Sequence, residues 1–273
     1  MFASSPHFKR RSLANNQLLA KFVLQPIRTP RQTFKQNRRH RESFAQIKSS
    51  MPEIIPAILV DSKEEFIRRL RLVEKEVETV QVDVLDGSMF DATSWFDATV
   101  IGKIETPLKF ELHLMIENPL PVIEEWNKYV PGFTRAIIHA EISRSLGAII
   151  NAVKVNLKKE VGIAINPATP LEAIDHHLHT LDEILIMGVE PGASGRNYVG
   201  SVAEEKLAQA AHHAPQITRG IDGAVTLERL PSLLKSGAER FCVGSAIFSN
   251  ENPKEMLRNL QKLLSNTKFL SQK

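Results

Sequence analysis

The sequence predicts a (β/α)₈ barrel, an α/β fold of the TIM-barrel type, on three observations. From Met51 onward, short apolar runs alternate with longer amphipathic stretches, a pattern typical of repeated βα units around a parallel sheet. Eight such units fit into about 220 residues, near the small end of the range for this fold. No G-x-G-x-x-G fingerprint follows the first strand, which disfavours the alternative, an open doubly wound sheet.

The predicted elements follow from the length and period of these runs. The strands are the short apolar runs Glu53–Leu59, Thr79–Leu85, Leu108–Met115, Arg135–Ala140, Glu160–Ile165, Glu183–Val189, Ile217–Asp222 and Arg240–Val243. The helices are the amphipathic stretches Lys63–Val77, Pro119–Tyr129, Ser143–Leu157, Leu171–Leu178, Val199–Ala211, Leu227–Ser236 and Pro253–Leu264. Ser94–Lys103 is the weakest helical candidate.

The composition is typical of a soluble globular protein, with 42% hydrophobic and 24% charged residues in a chain of 273. The longest apolar runs are far shorter than the ~20 residues of a membrane span, so we expect no membrane segment. The single cysteine, Cys242, excludes an internal disulfide and a Cys-based zinc cluster. We expect it to be a small core residue in a reducing, cytoplasmic compartment.

The basic charge belongs to the first 50 residues. They hold 11 Lys and Arg but one acid, Glu42, which leaves 24 basic and 30 acidic residues, a net −6, in residues 51–273. We expect residues 1–50 to be a disordered extension and residues 51–273 a single barrel domain. Translation from Met51 would make the extension an upstream artefact, whereas an organellar transit segment is the next alternative. A nucleic-acid arm is disfavoured because no aromatic residues are interleaved for base stacking.

Polar side chains stand at the carboxyl ends of most predicted strands, where the active site of a (β/α)₈ barrel lies. They are Asp83 and Asp86 on the second strand, His113 on the third, His139 and Glu141 on the fourth, Asn166 on the fifth, Glu190 on the sixth and Asp222 on the seventh. A lone aspartate at a strand end is more often a cap for the next loop than a catalyst. The convergence of so many polar strand ends at one end of the predicted barrel favours an active site.

Glycines and small residues follow the last three predicted strands. They are Gly192, Ala193, Ser194 and Gly195 after the sixth strand, Gly223 and Ala224 after the seventh, and Gly244 and Ser245 after the eighth. Phosphate sites in barrels are commonly built from these loops, where glycine lets backbone N–H groups approach the anion. The loops therefore predict a phosphorylated small molecule as ligand, and a simple chain turn is the alternative for each loop taken singly.

Several motifs occur in order and at natural spacing between Glu53 and about Leu264. They are Val82-Asp83-Val84-Leu85-Asp86-Gly87, Glu111-Leu112-His113-Leu114-Met115, Ile138-His139-Ala140-Glu141, Gly162-Ile163-Ala164-Ile165-Asn166-Pro167, Met187-Gly188-Val189-Glu190-Pro191-Gly192, Ile221-Asp222-Gly223 and Val243-Gly244-Ser245-Ala246-Ile247-Phe248. Each motif is weak alone, but the series is specific. It resembles the ribulose-phosphate 3-epimerase family.

This resemblance implies an isomerase that interconverts ribulose 5-phosphate and xylulose 5-phosphate by inverting C3. Asp83 and Asp222 would be the acid and base on the two faces, and their roles would exchange with the direction of reaction. A divalent cation, most often zinc in this family, would stabilise the enediolate. Its ligands here would be Asp83, His113 and Asp222, with Gln81 as a further candidate.

The resemblance also implies which residues contact the sugar phosphate. His113, Met115 and Met187 would border the sugar, and the phosphate would lie on the glycine loops after the last three strands. Family members also suggest a homo-oligomer, for which the sequence itself offers no separate indication.

This sequence departs from the family pattern at several positions. Gln81 stands where the family has its first metal histidine, and a neutral amide is a poor replacement for imidazole toward zinc. Ala57 replaces a serine of the first strand, and Ala224 replaces a glycine. Arg196 replaces a glutamine; it would add a charge-assisted contact to phosphate, or it is simply a solvated arginine of the loop.

Two alternatives therefore stay open beside the epimerase. A sugar-phosphate-binding barrel that has lost efficient catalysis is consistent with Gln81 and Ala57. An epimerase of another ketose phosphate, such as a ketohexose 6-phosphate, is consistent with the same polar mouth and glycine loops.

Overall fold

The computed structural model describes residues 51–192 and 195–270, and in it eight parallel strands close into a barrel in sequence order. The strands are β1 (Glu53–Ile58), β2 (Thr79–Val84), β3 (Lys109–Leu114), β4 (Phe133–His139), β5 (Glu160–Ile165), β6 (Glu183–Met187), β7 (Thr218–Asp222) and β8 (Arg240–Val243). The β1–β8 pairing closes the barrel, with Glu53 opposite Arg240. The predicted (β/α)₈ fold is confirmed. Residues 1–50, which are the predicted extension, lie outside the described part of the chain. Ala193 and Ser194 also lie outside it.

Helical segments follow the strands around the barrel. They are α1 (Lys63–Val73), α2 (Ala98–Ile101), α3 (Pro119–Tyr129), α4 (Leu146–Asn151), a π-helical segment (Ala152–Asn156), a 3₁₀ segment (Leu171–Thr180), α5 (Ser201–His213), α6 (Leu230–Lys235), α7 (Ser245–Phe248) and α8 (Pro253–Leu270). In the described residues, no helix is long and apolar enough to cross a membrane.

Two predicted α-helices differ in type from what the structure shows. The predicted helix Ser143–Leu157 is α-helical only to Asn151 and then widens into a π-helical turn, in a stretch with two β-branched valines that fit an α-helix less well. Leu171–Thr180 is a 3₁₀ helix. Its buried residues, Leu171 and Ile174, are three apart, and side chains at that spacing share one face of a helix with three residues per turn.

Strand side chains alternate between two cores because successive residues point to opposite faces of a sheet. On β2, Val80, Val82 and Val84 belong to the large core under the helices. A smaller inner core fills the barrel and consists of Ile55, Ala57, Ile137, Ala164, Leu185, Met187 and Cys242. Cys242 is thus a core residue as predicted, and burial raises the pKa of its thiol.

A buried ion network fills the amino-terminal end of the barrel interior. Arg240 donates from Nη1 to Glu183 Oε2 at 2.5 Å and from Nη2 to Glu111 Oε2 at 2.7 Å. Arg135 also donates from Nη1 to Glu183, at 2.7 Å. Burial raises the pKa of Glu111 to about 7, against the lowering effect of Arg135. The two guanidinium groups therefore hold the carboxylates in place at the end opposite the strand termini.

Replacing Arg240 by methionine should lower the free energy of unfolding by about 3–5 kcal/mol, because two buried carboxylates lose a partner. Arg258→Met is the matched control: Arg258 pairs with Glu76 on the surface, and its loss should cost under about 1 kcal/mol. Urea denaturation measures both. The loss at Arg240 should grow as pH rises above about 7, because Glu111 ionises there in the native protein but retains its proton longer once the guanidinium is gone. Equal losses in the two variants would contradict the role of the network.

Candidate active site

A cavity of about 210 Å³ opens at the carboxyl ends of the strands. Its walls include most of the residues that sequence reasoning assigned to a site: Asp83, His113, Met115, Met187, Gly192, Gly195, Asp222, Gly223, Ala224, Gly244 and Ser245. Gln81 lies beneath the wall and is fully buried. The fold thus brings the polar strand ends and the glycine loops to one place.

Asp83, His113 and Asp222 form a compact group at the base of this cavity. Asp83 and His113 are opposite each other in the β2–β3 pairing, and Asp222 ends β7. His113 Nδ1 lies 3.3 Å from Asp83 Oδ1 and 3.1 Å from Asp222 Oδ2. One ligand atom from each of the three residues lies within 4.8 Å of the others. All three side chains are largely buried, so their interactions are little weakened by solvent.

Gln81 holds the two carboxylates through its amide group. Its Nε2 donates to Asp83 Oδ1 and to Asp222 Oδ2, each at 2.7 Å. Its Oε1 is buried and has no hydrogen-bond partner among the described residues. The amide nitrogen therefore stands between the carboxylates, while an acceptor atom is left over on the same side chain.

Burial and hydrogen bonds shift the protonation of this group in different directions. Burial raises the pKa of Asp83, and the hydrogen bond to His113 only partly offsets this. Burial alone would lower the pKa of His113, but hydrogen bonds to Asp222 and Asp83 outweigh it and raise the pKa to about 10. His113 is therefore cationic at neutral pH and balances the carboxylates in the absence of any other cation.

The donor set fits a divalent metal ion. Two carboxylates and an imidazole nitrogen are common metal ligands, and the three are already close enough to share one ion. The orphaned Oε1 of Gln81 is a fourth candidate ligand atom, which a half-turn of the amide would bring between the carboxylates. Metal binding would displace the proton on His113 Nδ1, because a ligand nitrogen must offer a lone pair.

The loops over the cavity adopt conformations that favour glycine. Gly223 has φ +96°, and a Cβ there would lie 2.5 Å from Val189 Cγ2. The next residue, Ala224, also has a positive φ of 55°, which is uncommon for a residue with a side chain. Both residues line the cavity, and turns in the backbone are a common way to form an anion-binding concavity.

Three residues near the cavity extend what the sequence predicted. Arg229 lines the cavity, donates to the backbone oxygen of Ala224 at 2.9 Å and packs over the Tyr198 ring. Because Arg229 falls in a predicted outer helix, nothing in the sequence indicates that it borders the cavity. His139 and Glu141, noted only as polar strand ends, connect to the site because His139 Nε2 lies 2.8 Å from His113 Nε2.

The protonation states of His139 and Glu141 are set by their surroundings. Burial lowers the pKa of His139 and outweighs its hydrogen bond to Glu141. Burial would raise the pKa of Glu141, but hydrogen bonds from His139, Thr169 and the backbone of Asn166 lower it overall. At neutral pH the pair is therefore a neutral imidazole beside an ionised carboxylate.

Comparison with known proteins identifies the family of this chain. The model of the ribulose-phosphate 3 epimerase family matches residues 53–248. Ribulose-phosphate 3-epimerase from Bacillus subtilis is 27% identical over 224 residues, 77% of this chain and 99% of the relative. The protein of that name from Methanocaldococcus jannaschii is 31% identical over 193 residues, 69% of this chain and 80% of the relative.

Solved structures support the fold alone. A 3-keto-L-gulonate-6-phosphate decarboxylase from Vibrio cholerae superposes with a TM-score of 0.62 at 13% identity, over 80% of this chain and 99% of that one. A 3-hexulose-6-phosphate synthase from Salmonella typhimurium gives 0.59 at 12% identity, over 79% and 99%. The family match spans seven of the eight barrel helices and every strand. The chain belongs to the ribulose-phosphate 3-epimerase family and is an enzyme of the isomerase class.

Proposed function

We propose that this protein interconverts ribulose 5-phosphate and xylulose 5-phosphate by proton transfer at C3. The observation that carries the proposal is the placement of Asp83 and Asp222. They come from β2 and β7, both border the cavity, and both accept a hydrogen bond from the same amide nitrogen. Membership of an epimerase family supports the same reaction.

Inversion at C3 needs one group to remove a proton from one face and another to deliver a proton to the opposite face. The C3 hydrogen is acidic because the neighbouring C2 carbonyl accepts the charge as an enediolate. One aspartate acts as the base while the other, protonated, acts as the acid, and the roles exchange in the reverse reaction. Burial raises the pKa of Asp83, which favours the protonated form that the acid role requires.

A bound divalent cation would neutralise the charge that develops on the substrate oxygens. Asp83, His113 and Asp222 would hold it, with Gln81 as a fourth ligand through Oε1. Zinc is the ion that the family resemblance favours, whereas an amide oxygen in place of imidazole favours a harder cation such as Mg²⁺ or Mn²⁺.

The sugar phosphate would span the cavity from this group to the loops after β6, β7 and β8. His113, Met115 and Met187 border its inner end. The backbone of Gly195, Gly223, Ala224, Gly244 and Ser245 would hold the phosphate, together with Gly192, Ala193 and Ser194 of the β6 loop. Arg196 and Arg229 also line the cavity and offer positive charge to a phosphate.

The two bonds from Gln81 to the aspartates favour a second candidate, a barrel that binds sugar phosphate without turning it over. An epimerase of a ketohexose 6-phosphate is a third. Solvent deuterium entering C3 distinguishes catalysis from binding, and parallel assays of pentose and hexose phosphates distinguish the substrates. A homo-oligomer and a cytoplasmic or organellar location stay predictions.

The full-length protein with added Zn²⁺, Mn²⁺ or Mg²⁺ should interconvert the two pentulose phosphates and exchange C3 deuterium. Asp83→Asn and Asp222→Asn should each lower the rate by about 10²–10⁴-fold, since each removes one proton carrier. Asp97→Asn is the control: Asp97 caps α2 on the surface, and Asn caps a helix equally well. Absence of turnover with every metal tested would reject the proposed reaction.

Gln81→His should raise zinc affinity, because imidazole is a better zinc ligand than a neutral amide. Isothermal titration with Zn²⁺ and epimerase rates measure the change. Gln261→His, on α8 and outside the cavity lining, controls for the addition of a histidine. Unchanged affinity at Gln81→His would mean that the amide already serves as an equivalent ligand.

Gly223→Ala should weaken phosphate binding, because its Cβ would lie 2.5 Å from Val189 Cγ2 and displace the loop. Gly200→Ala is a matched control with φ +70° and no atom within 4 Å of the added Cβ. Both variants place a side chain on a residue with positive φ, at a cost of about 1–3 kcal/mol, but only the first reshapes the cavity. Thermal stabilisation by inorganic phosphate should fall in Gly223→Ala alone; an equal fall in both would place the phosphate elsewhere.

A further inference from the structure

We infer that His139 and Glu141 are positioning residues that fix the tautomer of His113, so that Nδ1 of His113 faces the carboxylates as a metal ligand. The inference rests on the metal site of the proposed function, but concerns residues outside that site. His139 is the last residue of β4 and is fully buried, and Glu141 lies two residues after it.

The two histidine rings meet end to end. Their Nε2 atoms are 2.8 Å apart, the ring centroids are 5.0 Å apart, and the ring planes are inclined by 21°. The centroid separation exceeds the nitrogen separation by about two ring radii, so each nitrogen points at the other nearly in line. Such a contact holds one hydrogen atom, which means that one ring donates and the other accepts.

Glu141 decides the direction of this hydrogen bond. Its Oε2 lies 3.2 Å from His139 Nδ1, and an ionised carboxylate can only accept. Nδ1 of His139 therefore carries the hydrogen, and its Nε2 offers a lone pair to His113. The opposite direction would set the lone pair of Nδ1 against the carboxylate, which is electrostatically unfavourable.

His113 must then donate from Nε2, which leaves the lone pair of the neutral imidazole on Nδ1. Nδ1 is the atom that lies 3.3 Å from Asp83 Oδ1 and 3.1 Å from Asp222 Oδ2. Histidine ligands of metals usually donate their second N–H to a carboxylate or a carbonyl, which fixes the ring. Here a second histidine stands between the ligand and the carboxylate.

Glu141 is itself held by the loop after β5. Its Oε1 accepts from Asn166 N at 2.9 Å and from the hydroxyl of Thr169. Lys206 of α5 fixes that loop by donating to the backbone oxygens of Asn166, Pro167 and Thr169 at 2.6, 2.7 and 2.5 Å. A continuous set of hydrogen bonds therefore runs from α5 to the ligand histidine, and the carboxylate has no freedom to turn away from His139.

The direct test uses the full-length protein labelled with ¹⁵N in its histidines and loaded with ¹¹³Cd²⁺. The spectrum should show cadmium coupling to Nδ1 of His113 and a hydrogen on its Nε2. Coupling to Nε2, or absence of a hydrogen there, would overturn the inference while leaving the proposed epimerase reaction intact. Correct coupling without epimerase activity would reject only the reaction. A native protein that binds no cadmium at His113 would reject the inference.

Variants measure the contribution of the His113 tautomer to metal affinity. Glu141→Gln, whose amide can donate as well as accept, should weaken metal binding by about 10–100-fold, as is typical for partners of metal ligands. Glu117→Gln is the matched control, because Glu117 accepts from Ser143 at the surface and does not contact either histidine.

A second pair of variants distinguishes loss of the hydrogen bond to His113 from a general loss of packing. His139→Gln should retain more metal affinity than His139→Leu, since an amide oxygen can still accept from His113 Nε2 while leucine cannot. Circular dichroism confirms folding of each variant, and calorimetric titration with Zn²⁺ gives the affinities. Equal losses in His139→Gln and His139→Leu, or no loss in Glu141→Gln relative to Glu117→Gln, would overturn the positioning role.

Discussion

The site depends on keeping two buried carboxylates together. Closing the barrel brings Asp83 of β2 and Asp222 of β7 to either side of one amide nitrogen. Their nearest oxygens lie within 4.8 Å of each other, and at that separation two negative charges repel by about 3–4 kcal/mol when the effective dielectric constant is about 20. Burial removes the water that would otherwise weaken this repulsion. Whatever lies between the two side chains must therefore supply hydrogen bonds, positive charge or both.

Two residues divide that task. Gln81 supplies two hydrogen bonds but no charge, and His113, whose pKa is raised to about 10, supplies one positive charge. A divalent cation would supply positive charge and direct coordination bonds to the carboxylates, and would make the proton on His113 Nδ1 and the inward-facing amide hydrogens unnecessary. The two arrangements use the same side chains and exclude each other, which is why the identity of residue 81 matters for affinity.

At the opposite end of the barrel, two buried carboxylates are also kept close together, but by different partner groups. There Glu111 and Glu183 are matched by the guanidinium groups of Arg135 and Arg240. Arginine stays protonated at all physiological pH values and cannot exchange protons with a substrate. Imidazole and carboxyl groups can gain or lose a proton within that range. The same inward-facing strand positions thus give an arginine–glutamate layer at one end and an imidazole–aspartate layer at the other.

The sequence predicts much of this arrangement because alternation along a strand is a local property. The run from Val80 to Val84 already separates inward polar residues from outward valines, and the barrel then brings Asp83, His113 and Asp222 together. Arg229 could not be predicted, because its contact with Ala224 depends on how a loop and a helix fold back over the cavity. The direction of the Gln81 amide could not be predicted either, since both of its ends are polar and only the surroundings distinguish them.

The hydrogen-bond chain behind His113 also determines which part of the site can respond to a cation. His113 is fixed on its far side by His139, which is held in turn by Glu141 and the β5 loop. Asp83 and Asp222 are bound to opposite sides of the barrel by their strands. Gln81 alone has a terminal amide that can turn half a revolution without moving its backbone, and it has an unused acceptor to present. Exchange between the cation-free and cation-bound arrangements therefore falls to that one side chain.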